Sequence, residues 1–316
     1  MQMMHRCRWW LSLFAIAAAF LLTSTQVSAA TLSFRTAPNV QHASKLEQQV
    51  QTWTDALSDQ PKFQSWKNAA ATIIPLGPGT HGWLVTFRLD RLPVGYMIVH
   101  ATAEGGFVLG EYGTGSHPAF DPNTLYSSMV RQGLFTTFAE AIKKPLHLER
   151  LYVSPVLAVW KYVAANQETY YLDAWTGEAL PITEQLWQEQ AKAALAAANA
   201  DKPVLSAATA NASTGAIHLT KLSAAKANQV FDPYERLPWL TKAPLSKEQI
   251  KQLPDLLDQR NQIRFTAELF RDTVLFVYPA IGYHNWDNQS LFVAFDSVGT
   301  RYIPVDLLNQ EGHFYN

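Results

Sequence analysis

Apolar positions along the chain follow two periods, and the changes between them mark out the elements. In residues 44–59, Leu46, Val50, Trp53 and Leu57 are spaced i, i+4, i+7, i+11. That is one stripe of a 3.6-residue period, so an amphipathic helix is expected there, ended by Pro61. The period then becomes two. Trp83, Val85, Phe87 and Leu89 alternate with Leu84, Thr86 and Arg88. Strand-like runs cover 71–76, 83–89, 95–101 and 107–112, and Glu104-Gly105-Gly106 supplies a turn before the last. The expected unit is a helix followed by an antiparallel meander.

The same order returns further on. Residues 123–143 carry Leu125, Met129, Leu134, Phe138 and Ile142 as an apolar helical face, with Gly133 a candidate dividing point. Strand-like runs at 146–153, 156–164 and 168–174 follow and close at Thr176-Gly177-Glu178. Two successive units of roughly 70 to 80 residues imply a duplicated α+β module. Residues 184–200 read as a helix rich in Ala and Gln, and 202–228, dominated by Ala, Ser, Thr and Asn, as a linker ordered in part at most. In the last region Ser246 caps a helix to Gln259 that Pro254 interrupts. Strands are expected at 263–269, 273–278, 290–295 and 300–304, and between them lies the polar and aromatic loop Gly282-Tyr283-His284-Asn285-Trp286-Asp287-Asn288. The fold class is therefore α+β: two helix-plus-antiparallel-meander units at 30–120 and 121–182, an Ala-rich helix and linker at 183–230, and a small antiparallel α+β domain at 231–316.

The N-terminus changes where this protein is expected to work. Residues 1–10 carry Arg6 and Arg8 and no acid. Residues 11–22 are apolar except Ser12, and Val27-Ser28-Ala29-Ala30 offers small residues for cleavage. A run of 12 is short against the ~20 residues a membrane-spanning helix needs, so residues 1–29 read as a cleavable signal peptide and the protein as extracytoplasmic, secreted or envelope-associated. Contact with a membrane is expected only through an uncleaved signal. Cleavage removes the two arginines and the one cysteine, leaving 23 basic and 26 acidic side chains, a formal charge of −3. This mild acidity offers no footprint for nucleic acid. Without cysteine, the mature chain has no disulfide, thiolate metal site or thiol nucleophile.

Two stretches carry a family resemblance. Gly95-Tyr96-Met97-Ile98-Val99, Glu104-Gly105-Gly106 and Phe107-Val108-Leu109-Gly110-Glu111-Tyr112-Gly113 resemble the β-hairpin of propeptides and inhibitors of streptopain-like cysteine proteases. Tyr170-Tyr171-Leu172-Asp173-Ala174-Trp175-Thr176-Gly177-Glu178 resembles the end of a PepSY domain, where a strand leads through Asp into a Thr-Gly-Glu turn. The resemblance covers residues 44–178. It implies a helix-plus-meander module of exported proteins and peptidase propeptides that binds and restrains proteases. The region from Phe231 onward is too short for a papain-like domain, so the resemblance does not bring a peptidase with it.

Candidate chemistry is sparse. Gly77-Pro78-Gly79-Thr80-His81-Gly82 lacks the lysine of a phosphate loop, and Pro78 removes a backbone donor. Ser116 and His117 are adjacent, so their side chains diverge, and no Gly-x-Ser-x-Gly elbow surrounds them. The eight histidines beyond the signal show no His-Glu-x-x-His or His-x-His pairing. No cofactor is expected. The ligand-binding candidates are Tyr283, His284, Trp286 and Asp287. They can be read as aromatics that cap the core, as a stacking platform for a sugar or peptide, or as a His284–Asp287 acid/base pair. The expected function is a non-catalytic, exported binding or inhibitory protein acting on an exported peptidase or envelope protein. The alternatives are a cell-wall glycan binder using the 282–288 aromatics, and an unrecognised hydrolase.

Overall fold

Helix α1, Val40–Ser58, buries the predicted stripe of Leu46, Val50, Trp53 and Leu57. A 3-10 helix at Pro61–Asn68 follows and drives Phe63 and Trp66 into the same core. Trp66 stacks on Phe87 at 4.1 Å. Its ring lies so close to Gly95 that a Cβ there would fall 2.4 Å from a ring carbon, which is why that strand position carries no side chain. The computed structural model describes residues 40–77, 81–143, 146–200 and 219–316. The expected signal peptide at 1–29 lies outside the described residues.

The first meander is β1 (Ala70–Leu76), β2 (Gly82–Leu89), β3 (Leu92–Ala101) and β4 (Phe107–Thr114), each antiparallel to the next. Helices α2 (Pro122–Arg131) and α3 (Phe138–Lys143) follow. Gly133, at φ +77°, separates them: its N–H donates to Val130 O and that of Leu134 to Met129 O, a left-handed helix stop. A second meander, β5 (His147–Ser154), β6 (Leu157–Val163) and β7 (Thr169–Asp173), forms its own three-stranded sheet. Helix α4 is Glu184–Ala200. Then come β8 (Leu222–Ala227), α5 (Pro238–Thr241), α6 (Lys247–Lys251) and α7 (Leu253–Asp258). The chain closes with β9 (Ile263–Leu269), β10 (Val274–Trp286), β11 (Ser290–Asp296), β12 (Thr300–Pro304), α8 (Val305–Glu311) and β13 (His313–Tyr315).

The expected α+β class holds, with mostly antiparallel sheets. Three local expectations do not. The segment expected as linker contains β8, which pairs with the end of β10. The segment expected as the 282–288 loop is that end of β10, and Tyr283, His284 and Trp286 are all buried in it. The strands expected to form a separate C-terminal sheet join the first meander through β4 and β12, giving the order β1-β2-β3-β4-β12-β11-β10-β9-β13. An antiparallel edge leaves backbone donors and acceptors unpaired, and β12 satisfies that of β4.

The large sheet buries both faces. On one, α1 and the 3-10 helix cover Val85, Phe87, Met97, Val99, Tyr112 and Tyr302. On the other, the three-stranded sheet lies wedged between two cores. Ala158, Trp160 and Tyr162 of β6 pack on Leu84, Tyr96 and Ile98. Leu157 and Val159 pack with α4, α7, α8 and the strands β9 to β12. Burial on both faces explains why β6 reads as an almost unbroken apolar run. Residues 41–316 form one compact unit.

Candidate functional site

Strand alternation sends the predicted site residues in different directions. Tyr283 points to the core shared with α7, where its hydroxyl donates to Asp258 at 3.2 Å. His284 points to the opposite face and stacks on Tyr302 at 4.1 Å. Trp286, on that same face, is fully buried and donates from Nε1 to Tyr112 Oη at 2.9 Å. Tyr112 Oη lies 2.9 Å from His284 Nδ1. The Tyr112 hydroxyl, which accepts from Trp286, thus bridges the indole and the His284 imidazole. Burial, with the Lys62 ammonium adding to it, pushes the His284 pKa down to about 3. Asp287 sits in the turn after β10 and accepts from Thr220 N at 2.8 Å and Lys221 N at 3.2 Å, which pins the chain entering β8. His284 and Asp287 thus serve separate networks, and no face of Trp286 is open for stacking. Of the readings made of this segment, the arrangement matches aromatics that cap the core.

A second polar centre is sealed as well. The Arg301 guanidinium donates to Glu111 Oε2 at 2.9 Å and Pro155 O at 2.7 Å and lies 3.5 Å from the centre of the Trp175 ring. Tyr96 donates to the other Glu111 oxygen at 2.6 Å and accepts from Trp175 Nε1 at 3.1 Å. Burial works against the Arg301 charge, but the Glu111 carboxylate outweighs it and the guanidinium pKa is raised. Glu111 and Arg301 are 0% and 2% exposed, so the pair fixes strand register rather than meeting a ligand.

The surface that sequence reasoning missed is built where β8 and β9 meet. Both strands pair with the same edge of β10, end to end: β9 along 274–280 and β8 along 282–286. Gly282 permits the approach, since a Cβ there would lie 2.0 Å from Lys226 O. After β8 the chain is tied down by Asn228, whose backbone N–H donates to Ile281 O and side-chain amide to Leu257 O at 2.6 Å. It then crosses the end of β9 as a strap, residues 229–240.

Arg264, on β9 and 3% exposed, holds that strap. Its guanidinium donates to Pro233 O at 2.8 Å, Gln262 O at 2.9 Å and Glu235 O at 3.0 Å, and lies 4.8 Å from the Phe231 ring centre. Charge-assisted bonds to fixed carbonyls make the strap a preorganised loop. Arg236 and Leu237 adopt left-handed backbone, at φ +64° and +41°. The strap turns large apolar groups outward: Val230 is 59% exposed, Tyr234 55%, Leu237 39% and Leu240 71%. These are four of the ten exposed large apolar residues among those described, gathered within eleven positions, which is the concentration expected of an interaction surface rather than of scattered exposure.

Beside the strap lies a cleft of about 420 Å³ lined by Lys226, Asn228, Gln229, Arg260, Asn261 and Gln262 over the apolar Phe231 and Ala280. Among the described residues no group of three or more His, Cys, Asp and Glu is placed to hold a metal ion, and no helix is long and apolar enough to cross a membrane. Comparison with protein-family models, with curated proteins and with solved structures finds no match.

Proposed function

We propose that this is a non-catalytic binding protein, exported from the cytoplasm, that engages a protein partner through the strap at 229–240. The observation that carries the reading is Arg264: a core arginine uses its guanidinium to hold a surface loop whose apolar side chains then face solvent. Pre-ordering of this kind lowers the entropic cost of association, and Tyr beside aliphatic anchors is a composition favoured at interfaces. The PepSY-like resemblance of residues 44–178 points to restraint of an extracytoplasmic peptidase as the form this binding takes. An envelope protein is the other partner class. The glycan reading has no comparable support, because it relied on Trp286 standing in a loop.

The test is chemical crosslinking in the protein's own host, comparing the natural chain with a Tyr234→Ser, Leu240→Ser variant. A partner crosslinked to the strap in the first and lost in the second is the expected result. Equal capture by both would overturn the reading.

A further inference from the structure

We propose that the cleft between the ends of β8 and β9 recognises a carboxylate, and that its ligand is the C-terminus of a peptide chain. This rests on the binding reading above and names the part of the partner that is held. Helix α7 ends in a motif in which Arg260 N donates to Leu257 O and Asn261 N to Leu256 O, with Arg260 at φ +62°. That is the position where a left-handed backbone favours glycine. The same motif after α2 places Gly133 there. An arginine in this place is a local cost, and such outliers are informative when nothing in the fold compensates for them. Nothing does so here: among the described residues the Arg260 guanidinium makes no hydrogen bond, ion pair or ring contact, and it lines the cleft.

The other walls specify the ligand. Lys226 also faces the cleft, and its ion pair with Asp258 is loose, at 3.8 Å. Among the residues that line the cleft the charged ones are Lys226 and Arg260, both cationic, which suits an anionic group. Asn228 and Asn261 spend side-chain N–H groups on Leu257 O and Leu256 O, so their carbonyl oxygens remain as acceptors for peptide N–H groups. Phe231 has the Arg264 guanidinium over its ring, so the site offers little open aromatic face to a sugar. A volume near 420 Å³ fits the last two or three residues of a chain.

The experiment is a calorimetric titration of the purified protein with tetra-alanine carrying a free C-terminus, with its C-terminal amide, with glucuronate and with inorganic phosphate. Saturable binding of the free acid is expected, weakened about tenfold or more in the amide, which loses the charged contact. Lys226→Gln should weaken it and Arg260→Gly should abolish it, while Arg260→Gly melts no lower than the natural protein because glycine suits the backbone. No binding of the free acid, equal binding of the amide, or tighter binding of glucuronate or phosphate would each overturn the proposal. So would a drop in melting temperature in Arg260→Gly, which would make the arginine structural. Partner capture that survives Arg260→Gly but not Tyr234→Ser, Leu240→Ser removes the carboxylate site and leaves the strap reading standing. Acid-specific binding with capture indifferent to the strap variants removes the strap reading alone.

Discussion

Glu311 ends α8 with its carboxylate buried beside the three-stranded sheet, accepting from Ser154 Oγ at 2.7 Å. Burial raises its pKa to about 7, against the smaller opposing effect of that hydrogen bond. An acid whose pKa is raised on folding stabilises the fold fully below its unfolded pKa, and that stability is lost as pH rises through about 7. Glu311→Gln keeps an acceptor for Ser154 and removes the charge. It should stabilise the protein at pH 8 by on the order of 2 kcal/mol and leave it nearly unchanged at pH 5, read by denaturant unfolding at both. Two buried histidines act in the other direction. Burial lowers His100 to about 4 and His284 to about 3. Their contribution is present above the ordinary histidine pKa and lost as pH falls toward those values, so stability should rise with pH up to about 6.5 before Glu311 reverses the trend. A scan of unfolding free energy from pH 4 to 8 checks the turning point. Replacement of Arg301 by Met strips the buried Glu111 of its counter-ion and should cost about 3–5 kcal/mol, measured in the same way. None of these environments was visible from residue type, because burial of a charge depends on which distant elements pack over it.

At the scale of elements, hydrophobic period was enough wherever the apolar residues repeat regularly along the element. The stripe of α1 and the alternation of β2 reappear as drawn, and β9 and β12 keep their expected bounds. It failed where polar residues are paid for by partners far away in the chain. Gly282 to Asn288 looks like a loop because Gly, Asn, Asp and His are turn formers. It is mostly strand because Tyr112 satisfies His284 and Trp286, and Asp258 satisfies Tyr283. Strand β8, composed of Leu, Ser, Ala and Lys, has low intrinsic strand preference, and pairing with β10 decides its conformation. The strap depends in the same way on Arg264. Arg264→Lys cannot reproduce a fork that reaches Pro233, Gln262 and Glu235 together. It should speed amide hydrogen exchange across residues 231–237 by tenfold or more, on the order of 1.4 kcal/mol of local stability, with exchange in β9 little changed. Unaltered protection in the strap would show that Arg264 does not hold it.

For the whole molecule, the joining of β4 to β12 has the largest consequence. Three residue pairs, Thr300 with Thr114, Arg301 with Gly113 and Tyr302 with Tyr112, merge strands that begin near residue 70 with strands that end near residue 315. Ring stacking of Tyr112 on Tyr302 at 5.0 Å and the Glu111–Arg301 bond seal the junction from both faces. A chain truncated after residue 230 would leave the β4 edge open and Glu111 buried without its cation. Such a fragment is expected to show no cooperative unfolding transition and no protected amides in β4, whereas the intact chain should unfold with coincident changes in tryptophan fluorescence and far-UV dichroism. The sequence by itself determined the α+β class, the order of helices and strands through both meanders, and the helix stop at Gly133, because these follow from side-chain period and from local backbone preference within a few residues. Only the tertiary structure decided which meander shares a sheet with which, that the 282–288 aromatics face inward, and that Arg260 lines a cleft beside a strap held by Arg264. Those outcomes rest on hydrogen bonds and burial between segments tens to hundreds of residues apart, and the local pattern of a chain carries no record of such distances.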